Sequence, residues 1–180
     1  ILAHMELFGT RVSGANDNAS GTAVLLDISA HLSRNPPKSA EVWFLATGAE
    51  ESGLCGMINF LRKYRRELTS LQSYILNIDS VGTGELTYIT EEGMMNKFPS
   101  SHTLVMMAGD FGIPHRPFRT MLTDCTAALA RGYEGTSIMA FEGDLLPNWH
   151  WKTDTSDKVR EDNLINASQF ILNIVARIDE

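Results

Sequence analysis

Two histidines and several carboxylates stand directly after apolar, strand-like runs. His4 follows Ile1-Leu2-Ala3, Glu50 and Glu51 follow EVWFLATGA, and Asp79 follows YILNI. Glu142 follows SIMAF and opens a loop that reaches His150, while Asp17 lies in the glycine- and asparagine-rich stretch GANDNASG, residues 14–21. Imidazole nitrogens and carboxylate oxygens together are the donor set that zinc, manganese or cobalt accepts. Taken singly, each residue has an ordinary reading. A lone histidine at a strand end is usually structural, a Glu-Glu pair is usually solvated, and an aspartate in a turn usually caps a helix. What changes the reading is that the set recurs at the ends of successive elements.

Those elements alternate. Strands are predicted over 1–3, 41–46, 72–78, 85–90 and 136–141. Helices are predicted over 19–34, 53–68, from Pro99 to about Asp110, near 125–131, and over 161–178. The last carries Leu164, Ile165, Phe170, Ile171, Ile174 and Val175 at helical spacing. Strands separated by helices imply an α/β fold, a mainly parallel mixed sheet with helices on both faces. In such sheets functional groups gather at the carboxyl ends of the strands, where the histidines and carboxylates stand.

Length and composition agree with one domain over residues 1–180. Hydrophobic residues make up 43% and charged residues 21% of the chain, enough for a core. The net charge of -7 argues against a nucleic-acid partner, which needs a basic face. Two bound divalent cations would bring it to -3. The basic run Arg62, Lys63, Arg65, Arg66 reads as a solvated helix end. No apolar run is long enough to span a bilayer. Cys55 and Cys125 lack the paired spacing of a thiolate zinc site, and whether they pair is left open. His31, His102 and His115 fall outside every motif, and no GxSxG nucleophile elbow is present.

Five segments, in order, resemble the M28 zinc peptidases, a family that includes bacterial secreted aminopeptidases. GANDNASG (14–21) looks like GAxDNxSG, and GAEESGLCG (48–56) looks like GxEExGLxGS. NIDSVG (77–82) looks like NxDxxG, the segment from Thr123-Asp124 to Ile138 looks like the family's S/T-D segment, and WHWKTDT (149–155) looks like HTxxDT. The resemblance covers nearly the whole chain. It implies a zinc-exopeptidase fold and two zinc ions, with manganese or cobalt as substitutes. His4 and Asp79 would hold one ion, Glu51 and His150 the other, and Asp17 would bridge them. Glu50 would be the general base. The substrate implied is a peptide with a free N-terminus.

Two positions depart from the family pattern. The family's HxD becomes His4-Met5-Glu6, so Glu6 would accept the imidazole N–H on a longer arm. A tyrosine before the last histidine becomes Trp149, which offers one indole N–H. Asp154 is expected to anchor its loop. Trp149, Trp151, Phe141 and Met139 are candidates for an apolar substrate wall, and Glu50, Asp79 or Glu142 for the partner of the substrate amine. The family's strands before the first ligand histidine have no counterpart here, so the chain reads as N-terminally trimmed, with sheet edges open to self-association. The compartment is undecided; the resemblance leans toward a secreted or periplasmic protein. Alternatives are a related amidase, carboxypeptidase-like deacylase or single-zinc cyclase, or a scaffold that kept the fold without catalysis.

Overall fold

A computed structural model describes residues 1–4 and 12–180. Seven strands form one sheet: β1 (Leu2–His4), β2 (Leu45–Thr47), β3 (Tyr74–Ile78), β4 (Glu85–Glu92), β5 (Phe98–Pro99), β6 (His115–Phe118) and β7 (Glu134–Phe141). Their order is β2-β1-β3-β7-β4-β5, with β6 also paired to β4. The first four in that order run parallel, and β4 runs antiparallel to β7. The helices are α1 (Gly21–Arg34), α2 (Cys55–Lys63), α3 (Arg65–Ser70), α4 (His102–Gly109), α5 (Asp124–Leu129) and α6 (Glu161–Ile178). The expected α/β fold with a mainly parallel sheet is present.

Successive strand side chains point to opposite faces, and the core divides accordingly. Ala3, Leu76, Ile78 and Ile138 pack with Val24 and Ile28 of α1, Leu104 of α4, and Phe170, Ile171 and Ile174 of α6. Leu2 and Ile75 face the other way, against Met57 and Leu61 of α2 and Ala127 and Ala128 of α5. Each face therefore holds helices through apolar contact. Truncating a fully buried side chain such as Ile171 to Ala costs about 2–5 kcal/mol.

Several elements differ from their predicted extents. The strand expected over 41–46 is ordered as a ladder only at Leu45–Thr47, because β1 begins its pairing at Leu2 opposite Leu45. The helix expected over 53–68 divides at Tyr64, whose backbone leaves helical angles (φ −101°, ψ 21°). Its ring packs on Phe60 and Trp43 at centroid distances of 5.0 and 5.5 Å. Pro99 does not open α4; it pairs with Glu91, and Ser101 caps the helix by accepting from the Leu104 amide. Strand β6 was not foreseen. The helix expected from residue 19 starts at Gly21, after an irregular helical turn over Ala15–Ser20. α6 has the extent its periodicity predicts. Cys55 is exposed and Cys125 buried, and both are free. Among the described residues no helix is long and apolar enough to cross a membrane.

Candidate metal centre

The parallel strands deliver their carboxyl ends to one side of the sheet, and the predicted donors meet there. His4 ends β1, Asp79 follows β3, and Glu50 and Glu51 occupy the turn after β2. Asp17 comes from the turn ahead of α1, where the Asp17–Asn18 peptide is cis, and His150 from the loop after β7. His4 Nε2 lies 2.9 Å from Asp17 Oδ1, and His150 Nε2 lies 3.3 Å from Asp17 Oδ2 and 2.9 Å from Glu51 Oε1. His4 Nδ1 lies 3.9 Å from Asp79 Oδ2. Two trios result, His4 with Asp17 and Asp79, and Asp17 with Glu51 and His150, each with donor atoms within 4.8 Å of one another. Asp17 is common to both. A third grouping of His4, Glu50 and Glu51 overlaps them.

The donors fit divalent cations. A tetrahedral ion with bonds of about 2.0–2.2 Å sets its ligand atoms roughly 3.3–3.6 Å apart, the scale of the separations observed. His4 Nε2 is buried and makes no hydrogen bond of acceptable geometry among the described residues, despite its closeness to Asp17. A buried nitrogen in that state is costly unless something else occupies its direction.

Protonation follows from crowding. Burial opposes charge on His4, but the contact with Asp17 and the charges of Asp79 and Glu50 outweigh it, and the ring is pushed up to about 10. Glu50 is pushed up to about 9, chiefly by burial and then by the neighbouring charge of Asp79. Burial also raises Asp79, against the opposing pull of His4. Burial would raise Asp17 too, but contacts with His150 and His4 hold it below the usual carboxylate range. His150 is raised, because Asp17 and Glu51 outweigh its burial. More carboxylates than cationic groups share this volume, the condition that added positive charge relieves.

The backbone turns that aim these groups are strained. Ala49, Ser80 and His150 adopt left-handed φ values of 57°, 52° and 57°, each about 1–3 kcal/mol uphill for a residue with a Cβ. Around them is a polar frame that sequence reasoning did not single out. Asn18 Oδ1 accepts from the amides of Gly21 (3.0 Å) and Ser80 (3.2 Å), and its amide nitrogen donates to Ile78 O at 2.9 Å and faces His4 Nδ1 at 3.3 Å. Asn16 Oδ1 accepts from the Gly82 amide at 2.7 Å. Thr47 donates to Asp124 Oδ2 at 2.6 Å, tying the end of β2 to α5. The residue signal was present in GANDNASG and Thr123-Asp124; the partners were not.

Asp154 is fully buried and accepts from the amides of Asn16 (2.6 Å) and Asp17 (3.1 Å), in the turn ahead of α1. Trp149 stacks on His150 with centroids 3.7 Å apart. Glu6 lies outside the described residues. A cavity of about 300 Å³ opens over the donors and is walled by Phe118, Met121, Leu122, Met139, Leu146 and Trp149. Met139 and Trp149 were expected there. Phe141 does not line it and instead packs with Ile89, Phe118 and Met139, and Trp151 is exposed at 71%. Glu142 does not line the cavity.

The model of peptidase family M28 matches residues 1–175. The chain belongs to peptidase family M28. Its relatives include aminopeptidase YwaD of Bacillus subtilis, 36% identical over 88 residues, a match covering 46% of this chain and 19% of that protein. The aminopeptidase from Aneurinibacillus sp. strain AM-1 superimposes with a TM-score of 0.79 at 24% identity, covering 97% of this chain and 42% of the other. A glutaminyl cyclase from an Acidobacteriales bacterium shares the fold at a TM-score of 0.78 and 20% identity, covering 99% of this chain and 68% of the other. The chain thus spans less than half the length of the two aminopeptidases.

Proposed function

We propose that this M28 chain forms the catalytic centre of a two-zinc aminopeptidase that removes N-terminal residues from peptides. Asp17 carries the reading. One carboxylate stands 2.9 Å from a histidine of one trio and 3.3 Å from a histidine of the other, the disposition a bridging ligand requires. His4 and Asp79 complete one half, Glu51 and His150 the other. Manganese or cobalt would suit the same donors.

When bound, the cations would acidify a water molecule and polarise the scissile carbonyl. Glu50 lies beside both halves without being needed to complete either, free to take the proton of the attacking water. Burial and Asp79 give it a high proton affinity, and added positive charge lowers that toward working pH, the tuning a general base requires. Glu50 then returns the proton to the leaving amine. Trp149 holds the His150 ring by stacking and closes one wall of the cavity. Its apolar lining suits the side chain of the N-terminal residue, and the surplus carboxylates suit its ammonium group. A single-zinc cyclase reading leaves His4 and Asp79 without a metal to hold.

The test is metal content and hydrolysis of amino-acid p-nitroanilides, on the parent and on Asp17→Ala. Two ions per chain in the parent, lost together with turnover in the variant, is the expected result. A folded parent that takes up no metal from zinc-replete buffer would refute the mechanism. Conversion of an N-terminal glutaminyl peptide to its pyroglutamyl form with release of ammonia, without p-nitroanilide turnover, would point to cyclase chemistry.

A further inference from the structure

The contacts of Asp154 converge on a single stretch of backbone. Its two carboxylate oxygens accept from Asn16 N at 2.6 Å and Asp17 N at 3.1 Å. Its own carbonyl accepts from Ser13 Oγ at 2.6 Å and Ala15 N at 3.5 Å. One fully buried residue therefore grips the whole turn from Ser13 to Asp17. Its own amide donates to Trp151 O at 3.0 Å, closing the tight loop whose start is the left-handed His150. The turn bearing Asp17 and the loop bearing His150 come from opposite ends of the chain, and this aspartate joins them.

The other donors are held by different means. His4 is in register on β1 opposite Thr47. Asp79 is fixed by its amide on Ile138 O at 3.0 Å and by Ser80, whose hydroxyl donates to Asp79 Oδ1 at 3.0 Å and whose amide is held by Asn18. Neither contacts Asp154, although Asn18, which braces Ser80, directly follows Asp17. The Asp154 carboxylate is buried and does not line the cavity.

Resting on the two-ion reading above, we propose that Asp154 is a positioning residue that sets Asp17 against His150, so that its loss falls hardest on the Asp17–Glu51–His150 half of the centre. That half has two ligands on the segments Asp154 joins, whereas the His4–Asp79 half shares only Asp17 with it. A group that only stabilised the fold would affect both halves alike. Substitution at residues that orient metal ligands typically weakens affinity about 10–100-fold, and here the greater loss falls on one ion of the two.

Asp154→Asn is the variant of choice. It is isosteric, but its amide offers one acceptor where two backbone N–H groups need one each, and it carries no charge. Zinc alone is titrated into metal-free protein against a chromophoric chelator, and cobalt(II) absorption bands report the ligand field of each ion. Thermal melting of the metal-free forms serves as the control. The expected result is one ion weakened 10–100-fold, the other at least threefold less affected, and cobalt bands altered more for the first. Two ions bound with parental affinity would overturn the proposal. So would equal weakening of both together with a large drop in metal-free melting temperature, the signature of general structural damage. If Asp154→Asn fails to fold, Asp154→Glu keeps the charge, lengthens the arm by one methylene, and is expected to give the same selective loss. A parent that binds no zinc would refute the two-ion reading itself, which no result confined to the variant can do.

Discussion

Gly56 sits in the first turn of α2 against the turn that bears Glu50 and Glu51, and replacing it with alanine is a sharp test of how that turn is held. An added Cβ would sit 2.1 Å from Gly48 O, 2.8 Å from Gly48 N and 3.1 Å from Gly48 C. All three are backbone atoms, so no side chain can swing aside. Ordinary contact begins near 3.4 Å, so Gly48 and α2 must separate by about 1.3 Å. Gly48 is two residues from Glu50, and the intervening Ala49 is already left-handed, with little freedom to absorb the shift. A displacement of that size exceeds the roughly 0.5 Å tolerance of a working site, and a 1 Å misplacement costs on the order of 10²-fold in rate. Gly56→Ala is therefore expected to lower kcat/KM at least 100-fold on zinc-loaded protein. Overpacking also costs about 1–3 kcal/mol, or roughly 2–12 °C in melting temperature for a chain of this size. Gly109→Ala is the control. There the added Cβ meets only Tyr88 Oη at 3.5 Å, and stability should hold or rise slightly. A Gly56→Ala protein with parental kcat/KM and melting temperature would show that the turn yields freely, and the geometric reasoning would fail.

Glu50→Gln should lower kcat about 10²–10⁴-fold while two zinc ions remain by elemental analysis; loss of an ion would make Glu50 a ligand rather than the base. Chelation should abolish turnover, and zinc should restore it. Restoration at 100 times the dissociation constant adds about 2.7 kcal/mol per site, roughly 5–11 °C by differential scanning calorimetry, and an unchanged melting point would contradict metal binding to the folded state. At the far end of the sheet, Asp179 accepts from the amides of Lys38, Ser39 and Ala40 at 2.8, 2.6 and 3.0 Å, bonds that hold its carboxyl well below the usual range. A depressed folded-state pKa contributes stability that is complete above the ordinary value of 3.8 and is lost as pH falls below it. Urea melts at pH 7 and pH 3 should therefore show less acid destabilisation in Asp179→Asn than in the parent, and equal pH dependence would refute the assignment.

Much of the architecture was readable from local pattern, and the exceptions have physical causes. α6 was legible because its apolar residues repeat at 3.6 and one stripe packs on one face of the sheet. β6, HRPF, was not. It has four residues, includes Pro117, and is exposed for most of its length; it exists because β4 offers a free edge. The break at Tyr64 was hidden for a similar reason. The residues around it are good helix formers, and a tertiary contact with Trp43 decides against them.

The donors of the candidate site were legible because each is a chemical type placed after an apolar run, and strand polarity does the rest. Parallel strands must release their chains at the same edge, so His4, Glu51 and Asp79 converge whatever the loops do. The conformations that finish the convergence leave no such mark. Ala49, Ser80 and His150 are not the residues one would write at left-handed positions, since glycine or asparagine would fit there with less strain. Their strain persists because partners distant in sequence impose it: Asn18 on Ser80, the Ser13–Asp17 turn on the loop after His150 through Asp154, and Thr47 with Asp124 at the start of the Glu50 turn. Residue type thus chooses the donors, while long-range hydrogen bonds set their spacing. Substitutions in that polar frame should therefore alter metal affinity and catalytic rate without removing a single donor, whereas substitutions in the apolar core should alter stability first.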